Sequence, residues 1–422
     1  MDFRKIIAEI SRIILGATFL FSGIVKAIDP VGGAIKMEDY FGAFGLSFFN
    51  PLALFVSINL SAVEFLLGLC IIMAVYRKLT TICMVAFMAF MTLLTLYLAI
   101  FNPVHDCGCF GEAIIITNWQ TFFKNIFILF PASVITYIYH KKMTSVYTYK
   151  AYWFVVLFGY IFSAGFSYYN YRNLPIVDFR PYKIGSNISE SMSFPEDAAL
   201  DEYLFIYEKD GKKEEFTLEK APAGDESWKF VEAKLVKQGY IPPITSFELY
   251  DKDENNIAEE ILAEENGVVL LISPHLEKAD DGKIDEINHI YDYSVENNIK
   301  FYCVTSSTSE NINAWINDTG AEYPFLTADD VTLKTIIRSN PGLVLLKSGT
   351  ILTKWHYNDI PSEDTANAVI NELLNQTGQK NDKEMSPWVL IVCCFTLPLL
   401  LVWIYDCFRN RKRNKKEEVL SL

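Results

Sequence analysis

The chemistry of this chain starts at Cys107-Gly108-Cys109-Phe110-Gly111, a short loop between two long apolar segments. Two thiols one residue apart form a redox pair, a structural disulfide or half of a soft-metal site. A disulfide across a single residue closes a tight ring, and such strain makes the bond easier to reduce. That pattern therefore reads as an oxidant rather than a staple. Gly108 supplies the backbone freedom that closure needs. His105 and Asp106 flank the pair. An imidazolium at His105 would stabilise a thiolate or move its proton, whereas the Asp106 carboxylate works against the thiolate. Two thiolates and one histidine make an incomplete zinc set, so no metal site is expected.

Two ionisable residues lie in the apolar segments that lead to this loop. Glu64 falls near the middle of one of them. A carboxylate at that depth marks a functional candidate that needs a partner. Lys26 stands near the end of the first segment, with Ser22 one helical turn before it on the same face. Lys26 and Glu64 can meet through a water and handle protons there. The alternatives are a packing ion pair, or Lys26 snorkelling to the interface.

The elements that position these residues are membrane helices. The 422 residues are 51% hydrophobic, with mean hydropathy +0.18. A bilayer span needs about 20 apolar residues, and six runs qualify: 6–28, 51–74, 79–101, 114–139, 150–170 and 386–407. The first is too long for a signal-peptide core and no small-residue cleavage site follows it. Basic residues cluster at Arg4, Lys5 and Arg12, at Arg77 and Lys78, at Lys141, Lys142 and Lys150, and from Arg409 to Lys416. Six spans with both termini in the cytoplasm put every cluster inside. The loop at 29–50, the cysteine loop and residues 171–385 then fall outside, in the periplasm of a bacterial inner membrane.

Charge is partitioned in the same way. Residues 171–385 carry 20 Lys and Arg against 40 Asp and Glu. So acidic an external region argues against nucleic acid or anionic lipid as its partner, and the basic tail reads as a stop-transfer anchor. Of the eight cysteines, Cys70, Cys83, Cys393, Cys394 and Cys407 lie in or at the ends of spans and Cys303 in a buried strand, where a thiol behaves as a small hydrophobe. Only Cys107 and Cys109 face an oxidising compartment.

The order of Arg12, Gly16, Ser22-Gly23, Lys26, Asp29-Pro30, Glu64, Gly68 and the Cys-Gly-Cys-Phe-Gly loop resembles the DoxX/MauE-like family of four-helix membrane proteins. The resemblance covers about residues 5–140, and the cysteine loop favours its MauE branch. It implies a bundle tied to thiol or sulfur redox chemistry, through disulfide formation in the MauE branch and a quinone-linked oxidoreductase among DoxX relatives.

The external region has two parts. Residues 172–240 read as β-rich, with Leu204–Tyr207 and Glu215–Leu218 flanking a turn at Asp210-Gly211. Trp228–Lys237 reads as a short helix. From about 244, strands and helices alternate. Strands are expected at Phe247–Tyr250, Val268–Ile272, Phe301–Val304, Leu343–Leu346 and Ile351–Trp355, and helices at 285–295, 312–316 and 361–376. This succession resembles the thioredoxin fold in its periplasmic TlpA-like form. Pro341 stands at the family's cis-proline. The chain departs at the active site: where the family has Cys-x-x-Cys, it reads Ser273-Pro274-His275-Leu276. Dithiol chemistry is therefore not carried over. A binding groove between Pro341 and His275 is, placed to hold a partner over the cysteine loop. A polar linker, Gln376–Glu384, tethers the domain to the last span.

The expected organisation is a four-helix membrane bundle at 1–140, a fifth span within 141–171, a β-rich segment at 172–240, a redox-degenerate thioredoxin-like domain at 241–377, and a last span with its basic tail at 386–422. The expected function is a membrane thiol/disulfide or quinone-linked redox protein. Cys107, Cys109, Glu64 and Lys26 would carry the chemistry, and Pro341, His275, Ser22 and His105 the binding. Envelope-protein thiols would be its substrates, and a quinone or another membrane carrier its acceptor. A non-catalytic assembly protein, whose external domain binds a periplasmic partner, is the alternative. A transporter ranks last, because no inverted repeat or pair of broken helices is visible.

Overall fold

The computed structural model describes residues 3–420, apart from 105, 196–197, 200, 210, 223, 226, 238 and 376–386. His105 and the linker Gln376–Glu384 therefore lie outside the described residues. Among those described, six helices are long and apolar enough to cross a membrane. In chain order the membrane part comprises α1 (Phe3–Ile28), α2 (Pro30–Ala43), α3 (Ala53–Met73), α4 (Arg77–Phe101), α5 (Asn118–Ile138) and α6 (Tyr152–Arg172). All but α2 are spans.

Helix α1 packs most closely on α3. A Cβ added at Gly23 would stand 2.5 Å from the backbone nitrogen of Phe65, so only glycine allows this approach. Small residues bring membrane helices together in this way. The contact sets Ser22 and Lys26 of α1 directly against Glu64 of α3.

Residues 29–50, expected as a loop, contain a helix. Asp29 caps α2 through a 2.8 Å bond from the Gly32 amide to its carboxylate, and Pro30 occupies the first turn. Both are standard helix-start chemistry. At 14 residues α2 is too short to span a bilayer.

The second part holds two sheets. Strands β1 (Glu202–Lys209), β2 (Lys212–Thr217) and β3 (Lys229–Lys237) form an antiparallel sheet in the order β2-β1-β3. The expected helix at Trp228–Lys237 is thus a strand. Pairing with β1 overrode local preference: Phe230 lies opposite Tyr207 and Leu235 opposite Tyr203, and the Tyr207 and Phe230 rings meet edge-on at 5.5 Å.

The larger sheet has the order β6-β5-β4-β7-β8, with β4 (Val268–Ile272), β5 (Lys300–Thr305) and β6 (Phe325–Thr327) parallel. Strand β7 (Gly342–Lys347) runs antiparallel to β4, and β8 (Thr350–His356) antiparallel to β7. Helices α7 (Ile284–Glu296), α8 (Ser309–Thr319), α9 (Asp330–Ile336) and α10 (Glu363–Asn375) connect or cover the strands. A β-α-β unit joined to a terminal hairpin and helix, with a cis peptide at Asn340-Pro341, is a thioredoxin-like α/β domain. Its central strand explains the unbroken apolar run at 268–272. Val268, Leu270 and Ile272 enter the core on one face of the sheet, and Val269 and Leu271 the core on the other.

Phe247–Tyr250 does not form a strand. Only Tyr250 bridges, exchanging two backbone bonds with Thr327. The Leu249 amide donates to the Asn256 side chain instead of to a ladder. A last apolar helix, α11 (Pro387–Leu420), returns to the bundle, where its Asp406 accepts bonds from the backbone and hydroxyl of Thr148.

Candidate active site

The thiol loop sits between the ends of α4 and α5. Gly108 has φ +62°, a conformation glycine adopts without strain. That turn brings Cys107 Sγ and Cys109 Sγ within 2.9 Å, with both cysteines as free thiols. Two separate elements, α1 and α2, hold the loop. Tyr40 of α2 donates to the Cys107 carbonyl at 2.9 Å, and Lys36 of α2 pairs with Asp106 at 3.0 Å. Asp106 in turn accepts from the Gly108 amide at 2.7 Å. Ser22 of α1 lies 2.5 Å from the Cys109 carbonyl.

Ser22 also lies 2.7 Å from Glu64 Oε2. Its hydroxyl has one proton to share between these two acceptors. Lys26 Nζ stands 2.6 and 2.8 Å from the two Glu64 oxygens. The pair is direct and needs no intervening water. Four of the eight anticipated site residues, Ser22, Lys26, Glu64 and Cys109, therefore form one connected group, and Cys107 adjoins it through its sulfur.

The two thiols are not equivalent. Cys109 is brought down to about 7 by the hydrogen bond it receives from Cys107 and by the charges of Lys124 and Lys26, against the opposing effect of burial. Cys107 is pushed up because it donates that bond and is itself buried. Cys109 is therefore the more acidic thiol of the pair.

Lys124 was not anticipated from the sequence. It stands on α5 with its ammonium 4.2 Å above the Phe110 ring, a cation–π contact. With Asn125 it lines a small cavity shared with Ser22, Glu64 and Cys109. The next five residues, Asn125–Leu129, form a π-helical turn, an irregularity common at functional sites. Lys124 falls inside the apolar run at 114–139, where a charged residue carries the same signal that marks Glu64.

His275 and Pro341 belong to a separate place in the α/β domain. His275 Nε2 lies 3.3 Å from Asp330 and its Nδ1 3.5 Å from Glu277. Asn340 accepts from the Ser273 hydroxyl at 2.7 Å and donates to the His275 carbonyl at 2.8 Å. Ser273 and Leu276, at the ends of the Cys-x-x-Cys position, are both buried.

The α/β domain reaches the bundle through the residues before Pro341. Arg338 makes bonds of 2.9–3.2 Å to both carboxylate oxygens of Asp29, the cap of α2, and lies 3.7 Å from Glu112 beside the thiol loop. Both members of the Arg338–Asp29 pair are buried. Behind it Lys354 bonds to Asp178 at 2.9 Å and is pushed down to about 8 by burial.

No curated protein matches this chain. A solved structure of a Bacteroides thetaiotaomicron protein, described as a candidate protein disulfide isomerase, is 17% identical over 31% of this chain and 86% of its own, with a TM-score of 0.26. Residues 201–238, which hold β1–β3, match a domain of unknown function (DUF8463). Residues 4–138, the bundle that builds the thiol site, match the family model of the methylamine utilisation protein MauE.

Proposed function

We propose that the protein is a membrane thiol–disulfide oxidoreductase that oxidises envelope-protein thiols through Cys107 and Cys109. The observation that carries this reading is the pair itself: two sulfurs 2.9 Å apart, made unequal by their surroundings and held from α1 and α2. In the oxidised protein, a substrate thiolate attacks the Cys107–Cys109 bond. One sulfur leaves as a thiolate and a mixed disulfide forms. The second substrate thiol displaces the remaining cysteine, so the substrate gains a disulfide and the pair gains two electrons and two protons. A lipid-soluble quinone then accepts these and regenerates the disulfide. Cys109, the lower of the two, is the better leaving group. Lys26 and Glu64 provide a proton route beside it. The basic clusters support an inner-membrane protein with both termini in the cytoplasm and the α/β domain in the periplasm.

The test is dithiol oxidation by the full chain in reconstituted membranes, with quinone supplied. Cys107→Ser and Cys109→Ser should each abolish turnover, and wild-type turnover by either variant ends the proposal. A redox titration of native membranes should show the pair passing reversibly between dithiol and disulfide.

The second reading is an assembly protein. It is favoured by the α/β domain, whose Ser273 and Leu276 leave no thiols where its fold would carry them. A tagged full chain that retains envelope proteins equally well with and without its two loop cysteines would support this reading over the first.

A further inference from the structure

Beside the thiol loop lies a cavity of about 320 Å³, roofed by α2 and walled by α4. Its volume falls at the lower end of the range for small-molecule sites, about 300–1,000 Å³. The lining is overwhelmingly apolar and includes Phe44, Phe90 and Leu94. Phe44 is 42% exposed and Phe90 63% exposed, so the mouth opens between apolar side chains on the outside of the bundle. Most polar groups of the lining are engaged elsewhere, Asp29 and Glu112 with Arg338, Lys36 with Asp106, and Ser57 with the Pro30 carbonyl, which leaves Lys26, Tyr40 and Cys107. Lys26 uses two of its three N–H donors on Glu64, which leaves one for a ligand. An apolar chamber with a thiol and a cation at one end is built for a flat, lipid-soluble ring that carries a carbonyl edge.

We infer that this cavity binds the quinone that reoxidises Cys107 and Cys109, with Lys26 facing a ring carbonyl and Cys107 in the wall. The inference rests on the thiol reading above and gives the acceptor a place. The step balances: two S–H bonds break, one S–S bond forms, and the two electrons and two protons released make the two O–H bonds of the quinol. The division of labour between the sulfurs follows from the two cavities. Cys107 borders the larger, apolar chamber, whereas Cys109 borders the small one that Glu64 and Lys124 also line. Electrons therefore leave on the Cys107 side, and protons have Glu64 and Ser22 on the Cys109 side.

The site and the chemistry can be tested separately. The full chain in lipid nanodiscs is labelled with a short-tailed azidoquinone and competed with decylubiquinone, whose fully substituted ring takes no thiol addition. Adducts should fall on 30–44 and 87–94, disappear on competition, and persist in the Cys107→Ser/Cys109→Ser protein, since binding does not need the sulfurs. Adducts spread along the lipid-facing helices and insensitive to competition would mean that acyl chains fill the cavity, and the inference would be lost. Anaerobic oxidation of the reduced wild-type pair by decylubiquinone should yield one quinol per disulfide. Leu94→Trp, which narrows the chamber, should slow that reaction at least tenfold, and an unchanged rate overturns the site. Saturable labelling with no thiol dependence of dithiol oxidation would sink the redox reading while leaving the quinone pocket in place.

Discussion

The molecule contains two places where a Cys-based redox centre could stand, and only one is equipped. In the bundle, the two sulfurs stand with the Glu64 carboxylate, the Lys26 and Lys124 ammonium groups and the Ser22 hydroxyl around them. In the α/β domain, the corresponding turn has a buried serine and a buried leucine at the two thiol positions, both tied into the core. The domain nevertheless keeps its cis-proline loop, and Arg338 of that loop grips the bundle next to the thiols. The contrast teaches that the α/β domain keeps its contact with the bundle while the side chains suited to thiol chemistry are gathered in the membrane part.

The sharpest way to break this comparison is to exchange the equipment. Cys109→Ser should abolish dithiol oxidation, because one sulfur cannot form the disulfide. Adding Ser273→Cys and Leu276→Cys to that variant restores the missing pattern in the α/β domain. No recovery of turnover is expected, since both positions are buried and lie away from Lys26, Glu64 and Lys124. Recovery in the same reconstituted assay would show the two places to be interchangeable.

The link between the two regions comes next in size. Arg338→Met leaves Asp29 buried without its cation, which typically costs about 3–5 kcal/mol. Limited proteolysis should then release the α/β domain from the membrane part more readily. Asp29→Leu with Arg338→Met should recover much of the loss, because no unpaired charge remains. If proteolysis is the same in all three proteins, the ion pair does not hold the domain.

A smaller effect separates Cys109 from an ordinary loop thiol. With Cys109 at about 7, its alkylation rate should rise through a midpoint near that pH, whereas Cys107 should react only at higher pH. Lys124→Gln removes one of the stabilising cations. A shift upward of about one pH unit corresponds to 1.36 kcal/mol and would slow alkylation at pH 7 several-fold. Lys124→Arg should restore it. A midpoint indifferent to the charge at position 124 would show that Lys124 serves only to pack against Phe110.

Much of this was legible in the sequence because the membrane makes reactive residues conspicuous. Cys107, Cys109, Glu64 and Lys26 stand out against apolar neighbours, and the structure brings Lys26 and Glu64 into direct contact. Helix α2 was legible too, since Asp29-Pro30 is a capping signature, but its length short of a span led to a loop reading. The Arg338–Asp29 pair was not, because its partners lie 309 residues apart and no local pattern joins them. Lys124 carried a usable signal, a charge within the run at 114–139, but only the fold shows that it faces the thiol loop. The strand at Lys229–Lys237 was misread as a helix because its partners on β1, not its own residues, decide its conformation.

The finest test compares two serines that occupy matching roles in the two regions. Ser22 Oγ stands between Glu64 and the Cys109 carbonyl, at 2.7 and 2.5 Å. Ser273 Oγ donates to Asn340, beside the cis-proline. Each replacement by alanine removes one buried hydroxyl and costs about 1 kcal/mol by the usual measure of a hydrogen bond, so stability should fall by similar amounts. Function should not. Without the Ser22 hydroxyl, the thiol loop loses its tie to α1 and Glu64 its link to the loop, and dithiol oxidation should fall a few-fold. Ser273→Ala should leave that rate where it is, because no thiol depends on Asn340. Equal effects of the two replacements on turnover would mean that Ser22 acts only through stability, and that the hydroxyl has no part in moving protons at the pair.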